Sequence, residues 1–124
     1  MIVVLDAGAL IALERRDRRM MALLAQLVSA RASAHVPAGV LAQVWRGSPR
    51  QHAVVRLLAT EAVRVHSLTK AMAYRVGLLL AASGTTDVVD AHVALLGRSL
   101  AARILTSDPD DLARLDPKLD LVTL

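Results

Sequence analysis

Short apolar segments alternate with longer helical segments along this chain, and this alternation limits the fold more than any other feature. Segment 2–5 is a run of Ile, Val and Leu, which is typical of a strand buried on both faces in a parallel sheet. The pattern predicts strands at 2–5, 35–36, 62–66, 103–106 and 121–123, with helices at 7–15, 18–30, 40–45, 51–59, 70–82, 87–100 and 109–115. We therefore expect an α/β fold, a three-layer α/β/α sandwich around a mostly parallel five-stranded central sheet.

The length and composition of the chain exclude several classes of protein. Its 124 residues suit a single domain, residues 1–124, and 55% of them are hydrophobic, which argues against disorder. There is no cysteine, so disulfide scaffolds, thiolate nucleophiles and cysteine-ligated zinc are excluded. No stretch approaches the roughly 20 apolar residues of a membrane span, and Asp6 ends the N-terminal apolar run early. We therefore expect a cytoplasmic protein with no membrane partner.

Acidic side chains follow two of the predicted strands and begin one of the predicted helices. Asp6 follows the first strand and Asp108 follows the fourth, while Asp87 and Asp90 lie three residues apart at the start of a helix. In open α/β sheets, functional groups collect at the carboxyl ends of the strands. We therefore expect these side chains to meet at one edge of the sheet.

Each of these acids also has a purely structural explanation. Asp6 could cap the helix that follows it, Asp108 precedes a proline at the first helical position, and Asp87 and Asp90 suit the positive end of a helix dipole. Carboxylates that converge on one site repel one another, however, and a divalent cation relieves that repulsion. Mg²⁺ prefers oxygen ligands and commonly joins carboxylates to a phosphate. Converging acids would therefore indicate metal-assisted hydrolysis of a phosphodiester.

Three short motifs, taken in order, resemble a known family. They are VVLDAGAL at 3–10, VVDAHVA at 88–94 and ILTSD at 104–108. The chain resembles PIN-domain proteins, and within that family it is most similar to bacterial VapC-type toxins of VapBC toxin–antitoxin modules. Each motif is short, so their order and spacing carry the resemblance, which spans nearly the whole chain.

The resemblance implies a Mg²⁺-dependent endoribonuclease, with Mn²⁺ as an alternative cofactor. By position, Asp6, Asp90 and Asp108 match the first, third and fourth acids of the family site, so they are the implied catalytic and metal-binding residues. Asp87, one turn before Asp90, is a further metal-binding candidate. The implied partners are an RNA substrate, a VapB-like antitoxin and a second copy of the chain in a homodimer.

Two positions depart from the family pattern. The family's second acid is a glutamate on the helix after the second strand, but VLAQV at 40–44 carries Gln43 there, and no glutamate occurs between Glu14 and Glu61. Glutamine offers an oxygen to a metal or its water, but it has no charge and cannot act as a base. Gly8 replaces the family's common Ser or Thr two residues after the first acid. Gln43 is therefore a predicted catalytic residue that assists without charge, and metal binding is expected to be weaker than in the family.

Arginines near these motifs are predicted to contact an RNA backbone. Arg15 and Arg16 belong to a basic turn between the first two predicted helices, although such a turn is also typical of a solvated loop. Arg46 follows Gln43 by three residues, just beyond the predicted helix, so we expect the two side chains to flank one cleft. Neutralisation of phosphate charge dominates affinity for nucleic acids, and a chain with no Phe and one Tyr does not rely on base stacking.

Two other functions stay open at this point. Gln43 is also consistent with a PIN fold that has lost efficient catalysis and binds RNA or protein as a module. A phosphatase or phosphotransfer domain would also carry an acid after its first strand. The Asp-x-Asp signature of one phosphatase class is absent, however, because Gly8 stands two residues after Asp6.

Overall fold

The computed structural model describes residues 1–124, in which five strands form one sheet. The strands are β1 (Ile2–Leu5), β2 (Ser33–Pro37), β3 (Val63–His66), β4 (Arg103–Thr106) and β5 (Asp120–Thr123). Their order across the sheet is β3-β2-β1-β4-β5, and every neighbouring pair is parallel. The predicted α/β fold is confirmed, and the sheet is fully rather than mostly parallel.

Seven α-helices connect the strands and cover both faces of the sheet. They are α1 (Ala7–Glu14), α2 (Arg18–Ser29), α3 (Ala38–Val44), α4 (His52–Leu58), α5 (Lys70–Ser83), α6 (Val88–Leu100) and α7 (Pro109–Leu115), and a 3-10 turn at Pro49–Gln51 precedes α4. The connections from β1 to β2 and from β2 to β3 run toward the β3 edge of the sheet, and they contain α1, α2, α3 and α4. The connections from β3 to β4 and from β4 to β5 run toward the β5 edge, and they contain α5, α6 and α7. Right-handed crossovers place these two groups on opposite faces. No helix is by itself long and apolar enough to span a membrane, and α5 and α6 pass that test only as a pair bent by 105°.

The core is centred on β1, which has strands on both edges and helices on both faces. Val3, Val4 and Leu5 are almost fully buried for this reason. Helix α6 packs very closely on β4, because a Cβ added at Gly97 would lie only 2.8 Å from Cγ1 of Ile104. This close approach fixes the position of α6, and therefore of the acids at its start, relative to the end of β4.

Element boundaries differ from the sequence prediction in three places that matter. β2 begins at Ser33, earlier than predicted, because it pairs with β1 from Ile2 onward. Helix α3 begins at Ala38 rather than at residue 40, and it ends at Val44, one residue earlier than predicted. Asp87 is the N-cap of α6 rather than a residue of its first turn.

Candidate active site

The carboxyl edge of the sheet contains a topological switch point between β1 and β4. The chain winds from β1 to β2 on one side and from β4 to β5 on the other, so a crevice forms beyond the carboxyl ends of β1 and β4. Asp6 directly follows β1, and Asp108 lies two residues beyond β4. The pairing of Leu5 with Leu105 brings the two strand ends level. Both acids therefore stand where open α/β sheets bind ligands.

Asp6 is a buried residue that caps α1. Its Oδ1 accepts a 3.0 Å hydrogen bond from the backbone N–H of Ala9. Burial raises the pKa of the Asp6 carboxyl, and the negative charge of Asp108 adds to this rise, while the Thr106 hydroxyl and the Ala9 N–H lower it. Asp6 therefore has the capping role that its position suggested, and its pKa is also raised by the nearby charge of Asp108.

Asp108 occupies the N-cap position of α7, but its side chain makes no capping hydrogen bond. The backbone N–H of Asp108 instead donates to the hydroxyl of Thr106 over 2.9 Å. Thr106 is fully buried at the end of β4, so it fixes the backbone of Asp108 while its hydroxyl also acts on Asp6. The capping explanation for Asp108 fails for the side chain, and its carboxylate is free for another role.

Thr106 is a site residue that the sequence analysis missed. The available signal was a hydroxyl at the end of a buried apolar strand, where an unpaired polar group would be costly. The structure shows its hydroxyl between the two acids that follow β1 and β4.

Asp87 and Asp90 bring two more carboxylates to the start of α6. The Asp87 side chain caps this helix by accepting a 2.9 Å hydrogen bond from the backbone N–H of Asp90. Asp90 itself is partly buried in the first turn. Burial is the main cause that raises its pKa from 3.8 to about 6, followed by the negative charges of Asp87, Asp111, Asp6 and Asp108. Five carboxylates from three chain segments therefore share one electrostatic environment.

No basic side chain forms an ion pair with any acid of this group. The ion pairs of the chain are Arg98–Asp116 and Arg103–Asp120, and neither involves the carboxyl edge. No three acidic or histidine side chains are arranged to hold a metal ion as the chain stands. Their unpaired charges and oxygen atoms nevertheless fit the chemistry of a hard divalent cation, which would relieve the repulsion that adds to burial in raising the pKa of Asp90. The residues that could hold such an ion are Asp6, Asp87, Asp90 and Asp108.

The structure places Gln43 with arginines. It is an exposed side chain in a cavity of about 390 Å³ that lies between the end of α1 and the end of α3, lined by Ile11, Glu14, Arg15, Gln43, Val44, Arg46 and Arg50. Two of the three arginines predicted to contact RNA, Arg15 and Arg46, therefore come together. Arg16 does not line this cavity; it is exposed in the turn after α1, with a left-handed φ of 55°.

Arg46 lies beyond the end of α3 and is oriented by backbone contacts, and it lines the same cavity as Gln43. Its Nη1 donates to the carbonyl oxygens of Ala42 and Trp45, over 3.1 and 2.6 Å. The buried side chain of Gln51 holds the same turn, because its Oε1 accepts from the Arg46 N–H over 2.9 Å and its Nε2 donates to the Val44 carbonyl over 2.6 Å. No sequence signal pointed to Gln51.

A second polar cavity, of about 330 Å³, is lined by the acids at the start of α6. It contains one arginine, and its lining is Gly84, Thr85, Thr86, Asp87, Asp90, Asp111, Arg114 and Leu115. Asp111 and Arg114 come from α7, so they are brought to α6 only by the tertiary fold. No sequence signal pointed to Arg114.

Comparisons with solved structures support the fold. A chain of the VapBC2 complex from Rickettsia felis, bound to a DNA fragment of its promoter, is similar with a TM-score of 0.72 and 16% identity, covering 100% of this chain and 99% of that chain. FitAB bound to an IR36 DNA fragment gives 0.69 at 14% identity, covering 98% and 94%. FitAcB from Neisseria gonorrhoeae gives 0.64 at 14% identity, covering 98% and 96%.

A family model identifies the chain more directly. No curated protein matches this sequence. The model described as PIN domain, however, matches residues 3–118, which includes every acid of the carboxyl edge. The resemblance given by the three motifs is thereby confirmed, and the chain belongs to the PIN domain family.

Proposed function

We propose that this chain is a VapC-type toxin, a cytoplasmic Mg²⁺-dependent endoribonuclease of a type II toxin–antitoxin module, with Mn²⁺ as an alternative ion. PIN domains are generally nucleases, and the structural neighbours are toxin–antitoxin complexes. The observation that carries the proposal is a group of acids, from three separate segments, that act on one another's charge with no arginine paired to them.

In this proposal Asp6, Asp90 and Asp108 are the catalytic acids, and with Asp87 they hold the ion. A bound Mg²⁺ would neutralise charge on the phosphodiester and activate water for its hydrolysis. The contribution of the chain is to hold these oxygens in place before substrate arrives. The capping bond of Asp6 to Ala9 fixes one carboxylate, and the capping bond of Asp87 to Asp90 fixes the start of α6.

The RNA backbone is proposed to extend over the arginine cavity. Arg15 and Arg46 face this cavity together with Arg50, and Gln43 offers an uncharged amide beside them. Arginine forms forked hydrogen bonds to phosphate, so adjacent arginines suit successive phosphates of one strand. Arg16 is retained as a more peripheral RNA contact because it is exposed in the same basic turn.

Exposed apolar surface supports the proposed partners, a second copy of the chain and a VapB-like antitoxin. Tyr74 and Leu78 lie on successive turns of α5 and are 68% and 74% exposed, and Val28 on α2 is 70% exposed. Val28 also borders an apolar cavity of about 390 Å³ between α2, α4 and the sheet. Association with either partner would remove these apolar side chains from water, which is favourable.

Gln43 supports a second candidate function. In this alternative the chain is a PIN fold with weakened catalysis that acts as a binding module. The neutral Gln43 removes one negative charge from the family's ligand set and stands among arginines. In this reading the arginine cavity binds RNA, while turnover is slow.

Cleavage of RNA by the purified protein tests the proposal. We expect Mg²⁺-dependent cleavage by the wild type, and a loss of at least about a hundredfold in Asp6→Asn and in Asp90→Asn, because a metal contributes several kcal/mol to such a reaction. Asp116→Asn is the matched control, since this acid pairs with Arg98, and it should retain activity. Equal cleavage by all four proteins would reveal a contaminating nuclease and remove the claim.

A further inference from the structure

The loop after β4 is interlocked with the first turn of α1. A Cβ built on Gly8 would overlap the Oγ of Ser107, and it would lie 2.9 Å from the Cβ and 3.1 Å from the backbone nitrogen of the same serine. Gly8 does not have a positive φ, so its backbone does not require glycine. Glycine is needed there because the Ser107 hydroxyl fills the space that a side chain would occupy.

This contact brings a hydroxyl close to the chain segments that carry the two strand-end acids. Gly8 follows Asp6 by two residues, and Ser107 directly precedes Asp108. The two neighbours of Ser107 in the chain are already accounted for, because the Thr106 hydroxyl and the Asp108 N–H bond to each other. Ser107 is exposed, and its hydroxyl has no part in that bond.

We infer that Ser107 is a further substrate-contacting residue, whose hydroxyl donates a hydrogen bond to a phosphate oxygen of RNA. In this inference the absence of a side chain at Gly8 leaves the space that the hydroxyl occupies. The inference rests on the proposed function, because the phosphate must approach the crevice between Asp6 and Asp108. A hydroxyl beside carboxylates serves an anionic substrate well, since it supplies a donor without adding negative charge. The steric contact makes residues 8 and 107 interdependent, so the space between them holds one hydroxyl.

Ser107→Ala is the primary test, because it removes the hydroxyl while it keeps the Cβ that packs on Gly8. We expect kcat/KM for RNA to fall about tenfold or more, as for a lost hydrogen bond to a charged group, with an unchanged stabilisation by Mg²⁺. Ser99→Ala is the matched control, since Ser99 is an exposed serine near the far end of α6, and it should behave as the wild type. Values of kcat/KM for Ser107→Ala within twofold of the wild type would overturn the inference.

A swap of the two side chains tests whether residues 8 and 107 share one space. Gly8→Ser alone forces two side chains into one space and should lower activity, whereas Gly8→Ser combined with Ser107→Gly returns a single hydroxyl to that space. The remaining contact, to the Ser107 backbone at 3.1 Å, needs a shift of only a few tenths of an ångström. We expect the double variant to recover to within about threefold of the wild type. A double variant that is folded but no more active than Gly8→Ser would overturn the shared position.

Binding measurements separate failure of this inference from failure of the proposed function. If the wild type does not cleave RNA, the nuclease proposal fails, and the affinity of a labelled single-stranded RNA in Ca²⁺ then decides the role of Ser107. Binding by Ser107→Ala that is at least fivefold weaker than by the wild type supports the phosphate contact. Equal affinities overturn it.

Discussion

The two ends of the central sheet treat their acidic residues in opposite ways. At the amino end, Arg103 at the start of β4 pairs with Asp120 at the start of β5 over 3.3 Å, and Arg98 at the end of α6 pairs with Asp116 over 2.9 Å. At the carboxyl end, the acids that follow β1 and β4 and begin α6 pair with no arginine. The chain has many arginines, so this difference reflects where the fold places them.

The pKa values of the acids follow this difference. The pKa of Asp116 is lowered, first by the backbone N–H of Lys118 and then by Arg98. The pKa of Asp90 is raised to about 6, first by burial and then by neighbouring acids. One end of the sheet therefore uses carboxylates as structural contacts, whereas the other keeps them in a destabilising arrangement that an added cation would relieve. This contrast is typical of a functional site, where local stability is lower than elsewhere.

The largest expected effect is stabilisation of the carboxyl end by metal. With Mg²⁺ at about 100 times its Kd, the wild type should gain about 2.7 kcal/mol, which corresponds to a rise in Tm of about 10 °C for a domain of this size. Asp90→Asn should lose most of this gain, whereas Asp120→Asn, at the paired end, should keep it. A thermal scan with and without Mg²⁺ measures both. An equal rise in Tm for the two variants would contradict the difference between the two ends of the sheet.

Removal of charge at Asp90 should stabilise the metal-free protein. Because the pKa of Asp90 is higher in the folded state than its ordinary value of 3.8, the folded state favours the protonated form. That preference is fully present below about pH 4 and is lost as the pH rises through about 6. At pH 7.5 in EDTA, Asp90→Asn should therefore raise the free energy of unfolding by about 1–2 kcal/mol, after allowance for contact with water. Urea denaturation at pH 7.5 and pH 4 measures this, and a destabilised variant at pH 7.5 would contradict it.

Removal of charge at Asp116 should have a smaller effect of opposite sign. The pKa of Asp116 is lowered in the folded state, so its stabilising contribution is present above its ordinary pKa of 3.8 and is lost as the pH falls through the lowered value. Asp116→Asn should destabilise the protein at pH 7.5 by less than about 1 kcal/mol, because about half of the Arg98 side chain is exposed to water. The same denaturation series measures this change. A gain in stability would show that the contact between Asp116 and Arg98 does not stabilise the fold.

The smallest expected effect tests the uncharged position in the family pattern. Gln43→Glu adds a negative charge, so it should tighten Mg²⁺ binding by a few-fold through the attraction between the charges. Calorimetric titration of the wild type and the variant measures this change. Gln26→Glu, at an exposed position of α2, is the control. Unchanged affinity would show that Gln43 acts only within the arginine cavity.

The sequence was most informative where burial determines the residue type. β1 is buried on both faces of a parallel sheet and appears as an apolar run, and Ile104 and Leu105 give β4 a buried apolar centre. The acid that follows each strand marks the carboxyl edge. β2 was placed too short because Ser33 and Ala34 carry no strand preference, and their pairing with β1 is a tertiary contact. The local sequence pattern therefore predicted the apolar parts of the strands. It missed strand ends such as Ser33 and Ala34, which are defined by hydrogen bonding to a neighbouring strand.

The site was predictable to the extent that one strand end or one helix start defines it. Asp6 and Asp108 follow from that rule, and Asp90 from its place at the start of a helix. The partners of these acids come from other elements: Thr106 acts on Asp6 across two strands, and Asp111 reaches Asp90 from α7. Such contacts depend on how helices pack, which a single sequence does not display.

The orientation of Arg46 shows the same limit from another side. Its spacing from Gln43 suggested a shared cleft, which both residues line, but it could not show what Arg46 contacts, because α3 ends at Val44. The buried Gln51, seven residues beyond the end of the helix, holds the turn that orients Arg46. Helix ends are set by such distant hydrogen bonds, so periodicity alone could not place this side chain.

The central claim is that the acids at the carboxyl end of the sheet hold one divalent cation, and a crystal grown with Mn²⁺ tests it most directly. Anomalous scattering locates manganese independently of any interpretation of the side chains. We predict a peak between the carboxylates of Asp6, Asp90 and Asp108, and none beside Asp116 or Asp120. A crystal saturated with Mn²⁺ that shows no peak among those three carboxylates would contradict the account.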